Sequence, residues 1–258
     1  MPIKKRYIIL LAVGSYLLFT LSMVPASKVL SLASSIKPMP VKIYGVSGNL
    51  WNGRAQQLLV PGQPVIDNLQ WTVNPLGLLL ARLNAHFNAS IKNQNITGEL
   101  SVNALGQLQG SDIRARVDGT AMQQLLRLPL GELGGVFNFN VHSIELNQGT
   151  LPILDASLSW KNASLTLMDT VNLGHVELQV SSQDDGRLLA SISNKQGDLQ
   201  LSGDATIDAS KNYTINLRMT PQPDTARNIT QSLGMFARRQ ADGSYLLSRK
   251  GNLREFGL

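Results

Sequence analysis

The chain has 258 residues, no cysteine and a formal net charge of +6. Without thiols there is no disulfide, no thiolate nucleophile, no zinc–cysteine site and no iron–sulfur cluster, so burial and backbone pairing must hold the fold. The charge sits at the start: Lys4, Lys5, Arg6, Lys28 and Lys37 leave 18 basic residues against 17 acidic ones elsewhere, a balance that argues against a nucleic-acid surface.

Lys4, Lys5 and Arg6 precede an uncharged apolar run from Tyr7 to about Val24. That length approaches the ~20 residues a helix needs to cross a ~30 Å hydrocarbon core. The basic flank keeps the N-terminus in the cytoplasm. Two readings stand. A retained anchor gives a cytoplasmic tail over 1–6, a transmembrane helix over 7–25 that Pro25 ends, and a linker over 26–40. A cleaved signal peptide would use Val24-Pro25-Ala26 as its cutting site. Length favours the anchor, and both readings place the body, residues 41–258, beyond the membrane.

The body alternates. Val41 to Tyr44, Asn88 to Lys92, Thr97 to Val102, Val136 to His142, Val176 to Val180 and Tyr213 to Met219 each follow a period of two. One face of such a segment is buried and the other wet, which predicts antiparallel strands. Turn signals separate them at Pro61-Gly62, Asn93 to Asn95, Gln148-Gly149, Asp184 to Gly186, Asn194 to Gly197 and Asp242-Gly243. Pro75 to Leu80 reads as a short helical stretch or a buried strand. Two short helices are expected: Ala121 to Leu126 capped by Thr120, and Thr225 to about Phe236 capped by Asp224, with Ile229, Leu233 and Phe236 on one face. The basic tail (Arg238, Arg239, Arg249, Lys250, Arg254) reads as a solvated edge that blunts aggregation, or as a contact for acidic lipid or an acidic partner.

The chain also looks duplicated. Gly45 to Trp71 and Gly134 to Trp160 are equal in length, each beginning with Gly and closing on Leu-x-Trp. Ser101 to Leu126 and Thr206 to Leu233 each give a strand, a polar turn, a strand and a helix. The expected fold is all-β: a transmembrane helix, then an extended, curved antiparallel sheet of two duplicated β-meander halves, 41–130 and 131–258, with short helices.

No catalytic cluster emerges. His86, His142 and His175 lack metal-binding spacing, and Asp184-Asp185 lacks the oxygen ligands of a calcium loop. Gly45-Val46-Ser47-Gly48 precedes a hairpin, whereas a nucleophile elbow needs a strand-to-helix turn. No cofactor is implied, and no nucleophile–base pair suggests a hydrolase. Gly48 and Gly53 should bracket a tight turn or bulge. Trp51, Trp71 and Trp160 are large enough to anchor a sheet core, their first reading, with a partner contact as the lesser alternative for Trp51.

Val41 to Ala55 (VKIYGVSGNLWNGRA), with Leu69-Gln70-Trp71, Pro75-Leu76-Gly77 and the N-terminal apolar run, resembles the type II secretion system protein N family. The resemblance spans nearly the whole chain. It implies a non-enzymatic, single-pass inner-membrane protein of a Gram-negative bacterium with a periplasmic body, serving the machinery that exports folded proteins through an outer-membrane secretin. The implied partners are other subunits of that system, the inner-membrane platform or the secretin. The alternative is a periplasmic lipid-handling or envelope-bridging β protein, with Leu76 to Leu80 and Leu125 to Leu130 as lining. The two readings part on whether the apolar face is capped by the short helices or left open.

Overall fold

The computed structural model describes residues 25–28, 41–61, 64–126, 131–146, 151–166, 169–223 and 225–253, with the side chains of 78–80 and 227 excepted. The expected anchor lies outside them except for Pro25. Among the described residues no helix is long and apolar enough to cross a membrane. The chain forms two compact units, Met1–Asn93 and Gln94–Leu258.

In the first unit, β1 (Lys42–Tyr44), β3 (Asn52–Leu59), β4 (Ile66–Asn74) and β5 (Arg82–Ile91) are successive antiparallel neighbours. The two-residue β2 (Ser47–Gly48) folds back on β3. A 3-10 turn, Pro75–Leu80, joins β4 to β5, so the Leu-rich stretch is a turn of helix and not a strand. Pro25 bridges to Asn49, and Ala26 is 1% exposed.

The second unit is a ten-stranded antiparallel array. Strands β6 (Gln94–Asn103), β7 (Leu108–Asp118), β8 (Glu132–Leu146), β9 (Ile153–Thr166), β10 (Thr170–Ser182), β11 (Leu188–Lys195), β12 (Leu199–Ile207) and β13 (Asn212–Pro221) follow in chain order. Then β15 (Tyr245–Asn252) pairs with β13, and the short β14 (Arg238–Arg239) pairs with the start of β15. Every alternating segment named above falls in a strand except for the end residues Val41 and Lys92, and the fold is all-β with a large antiparallel sheet and few short helices. Gly186 and Gly243, at φ 77° and 82°, close the β10–β11 and β14–β15 hairpins through hydrogen bonds to Gln183 and Gln240.

Both short helices lie on one face of this sheet, here the inner face. Helix α1 (Gly119–Leu126) follows β7 directly. Its cap is Asp118, whose Oδ1 accepts from the Ala121 N–H at 2.7 Å; the expected cap, Thr120, is inside the helix. The turn is that early because Gly119 lies against the Leu133 carbonyl, where a Cβ would stand 2.0 Å away. Ala121, Met122 and Leu125 pack on Val117, Phe137 and Trp160. Helix α2 (Arg227–Phe236) has no side-chain cap at Ala226, and the expected cap, Asp224, lies outside the described residues. Ile229 and Leu233 enter the core with Val176, Leu201, Met219 and Tyr245. Phe236 does not: it ends the helix at 50% exposed, and Ala237 takes the adjoining core position.

Candidate functional site

The stretch that carries the resemblance folds into one corner of the first unit. Gly48 and Gly53 are Cα partners across the β2–β3 hairpin, and residues 49–52 form its loop. Gly48 has φ +85°, and a Cβ there would meet the Asn52 carbonyl at 2.4 Å, so both conformation and space demand glycine. Asn49 holds the loop: its Oδ1 accepts from the backbone N–H of Trp51 at 3.1 Å and of Asn52 at 2.7 Å. An Asn bonding to backbone two or three residues on is a turn signal legible in the sequence. Trp51 is 7% exposed, and its carbonyl accepts from Val73 N–H at 2.6 Å, tying the loop to β4.

Trp71 on β4 roofs this turn. It is the Cα partner of Gly53, and its indole N–H donates to the Leu50 carbonyl at 3.0 Å. A Cβ on Gly53 would lie 2.2 Å from the ring. The bare glycine therefore lets an indole lie flat on the backbone. Beside this turn is an open recess of about 470 Å³, lined by Ser47, Asn52, Arg54, Gln70, Trp71 and Thr72 among others; in the β3–β4 register Arg54, Gln70 and Thr72 face away from the side of the ladder that carries the indole. Arg54 is held by a bond from its Nε to Ser47 Oγ at 2.9 Å. The recess thus combines a fixed guanidinium with amide and hydroxyl groups. These are the components of a polar, shape-selective contact. Arg54 and Gln70 were not singled out from the sequence, since only the β3–β4 register pairs them across the hairpin.

Trp160 lies in the second unit, stacked on Phe137 with ring centroids 4.6 Å apart. Its indole N–H donates to the Gly134 carbonyl at 2.7 Å. Each of these two tryptophans thus ties the second strand of a hairpin to backbone at or just before the start of the first.

The titratable residues are dispersed. Among the described residues no three His, Asp or Glu converge to hold a metal. His142 faces Asp155 at 3.7 Å, and His175 faces Glu177 at 3.2 Å, on exposed or half-exposed strand surface. The perturbed carboxylates belong to turns. In Asp242, hydrogen bonds from the Ser244 hydroxyl and N–H, helped by Arg218, hold the carboxyl below its ordinary value. Bonds from the Arg187 N–H and side chain do the same for Asp185, and bonds from the Asn212 side chain and N–H for Asp208. Of the basic tail, Arg238 and Arg239 form β14, Arg249 and Lys250 lie on β15, and Arg254 is outside the described residues.

A family model for the type II secretion system (T2SS), protein N, matches residues 39–248. Type II secretion system protein N of Aeromonas hydrophila is 24% identical over 255 residues, covering 97% of this chain and 99% of that protein. No solved structure is significantly similar.

Proposed function

The chain belongs to the type II secretion system protein N family, and on that footing we propose that it is a non-enzymatic accessory subunit of the export machine, anchored in the inner membrane with its body in the periplasm. It acts by protein–protein contact, through the recess at Arg54 and Gln70. The observation that carries this reading is the open recess built by the family-like stretch itself: Arg54 fixed by Ser47, with Asn52, Gln70 and Thr72 on the same face of the hairpin. Arginine is enriched among the few side chains that carry most of the binding energy in protein interfaces. The partner is another subunit of the system, in the inner-membrane platform or the secretin.

Two further features support parts of the reading. Pro25 pairs with Asn49, and Ala26 is buried. A cut after Ala26 would remove both, which favours a retained anchor. The matching strand–turn–strand–helix segments, β6–β7–α1 and β12–β13–α2, favour an internal duplication.

The test is site-specific photocrosslinking in cells, with the probe at Gln70 or Thr72 and the captured proteins identified by mass spectrometry. The expected result is capture of platform or secretin subunits, lost when the probe is moved to the exposed turn at Asp184. Equal capture from both positions would sink the proposal. The intact mass of the same sample reads anchor retention.

A further inference from the structure

The last long strand of the second unit is left half bare by the helix that precedes its hairpin. Arg238 and Arg239 pair with Leu246 and Tyr245, and there β14 stops. One residue earlier, Ala237 caps α2 and enters the core, its N–H donating to the Leu233 carbonyl at 2.9 Å. The chain that would have continued β14 is thus drawn onto the inner face as helix. β15 runs on to Asn252, without proline and in unbroken register with β13. Beyond Leu246 no strand lies on its other side among the described residues.

Which backbone groups this leaves over follows from the bonds at the two ends of β15. In an antiparallel ladder a residue sends its N–H and its C=O to the same side, and successive residues alternate. Gln240 N–H donates to the Ser244 carbonyl on the β14 side, and Leu253 N–H donates to the Lys211 carbonyl on the β13 side. Odd-numbered residues of β15 therefore serve β13, and even-numbered ones face outward. Arg238 takes Leu246, and the outward N–H and C=O of Ser248 and Lys250 meet no strand. Both residues are exposed. Four cations flank this edge. Arg239 and Arg249 share a face with Tyr245, while Arg238 and Lys250 lie on the other. All four are exposed, and none forms an ion pair among the described residues. Met235 and Phe236, 86% and 50% exposed, end α2 just before β14.

We propose that this edge takes an extended acidic segment of a partner protein as one further strand of the sheet. The N–H and C=O of Ser248 and of Lys250 supply the pairing, and cations on both faces select side chains that carry acid. Met235 and Phe236 add an apolar contact at the end of the slot. Natural edges are blunted by proline, bulges or charge, and on β15 charge is the device in use. It works against a second copy: two β15 edges paired antiparallel would set Arg249 and Lys250 beside their own like charges, which is destabilising. The same charges favour an acidic strand. The site is separate from the recess at Arg54, and either proposal can fail alone.

The test uses the purified full chain in detergent micelles. The probe is a fluorescent peptide of sequence EVEVEVEF, with KVKVKVKF as its control. Fluorescence polarisation reads affinity, and amide hydrogen exchange at residue resolution reads the place. In the free chain the Ser248 and Lys250 amides exchange fast and those of Leu247 and Arg249 slowly. The acidic peptide slows the first pair, and the basic one does not. Ser248→Pro removes an outward N–H and spares the β13 ladder, so it keeps the fold and weakens the acidic peptide about tenfold, the scale of one lost hydrogen bond. Arg249→Gln with Lys250→Gln weakens it about fivefold at low salt and less at high salt. The exchange measurement needs no variant and stands even where Ser248→Pro does not fold. Ser248 and Lys250 amides already slow in the free chain would overturn the proposal, since a second copy or residues 254–258 would then hold the edge. So would equal protection by phosphatidylglycerol vesicles, which would make a membrane surface the occupant. A dissociation constant for the acidic peptide above about 1 mM, or binding indifferent to Ser248→Pro, would overturn it as well.

Discussion

Gly53→Ala is the sharpest test of the tryptophan corner. Gly53 has no positive φ, so alanine meets no backbone strain of its own, and the main effect comes from its Cβ standing 2.2 Å from the Trp71 ring, with the Asn49 carbonyl at 2.9 Å as a second, lesser contact. The ring must move, and its hydrogen bond to the Leu50 carbonyl at 3.0 Å must stretch or break. Overpacking costs about 1–3 kcal/mol and the lost bond about 0.5–1.5 kcal/mol, so the variant should be destabilised by roughly 2–4 kcal/mol. Trp71→Phe removes the bond and the outer part of the ring, at about 1–3 kcal/mol. In the double variant the alanine methyl enters space the indole has vacated. Its cost should fall short of the sum of the singles by at least ~1 kcal/mol, since residues in contact couple on that scale. Urea unfolding of the purified full chain, followed by far-ultraviolet circular dichroism, measures all four proteins without relying on Trp71 fluorescence. Additivity within ~0.5 kcal/mol would mean that the two side chains do not meet, and the corner as described would be wrong.

Asn194 is 4% exposed; its amide donates to the Leu173 and Leu199 carbonyls and its Oδ1 accepts from Leu201 N–H. Asn194→Leu keeps the volume but orphans three buried groups, so a loss of at least ~3 kcal/mol is expected; a urea midpoint within error of the native protein's would refute this. Asp185, Asp208 and Asp242 all have carboxyls held below their ordinary value. Their stabilisation is complete above the unfolded value of about 4 and is lost as pH falls through the lower folded values. Urea midpoints should therefore show no contribution from these turns between pH 5 and 8. Below pH ~4 the decline should be shallower in Asp242→Ala than in the native protein; identical acid slopes would count against it.

Strands were legible because side-chain alternation is a property of the extended backbone itself: Val136 to His142 or Tyr213 to Met219 show it without reference to neighbours. The candidate corner was half legible. Gly48 announces a turn by its conformational freedom, but nothing local says that Trp71, eighteen residues after Gly53, lies on it. Asn194 reads as the start of a turn, yet the structure puts it in β11 as a buried hub, because the amide is the partner that three strand-end backbone groups lack. Asp118 caps α1 in place of Thr120 because Gly119 is already pinned under the Leu133 carbonyl.

By itself, then, the amino-acid sequence determined an all-β body without thiol chemistry and with one apolar face per strand, for these follow from composition and a period of two. Which backbone groups β15 leaves unpaired where β14 gives way to α2, and which side chains surround Trp71, were decided only by the tertiary structure. Strand register and bulges are set by pairing between distant segments, and a shift of one residue turns a side chain from the dry face to the wet one.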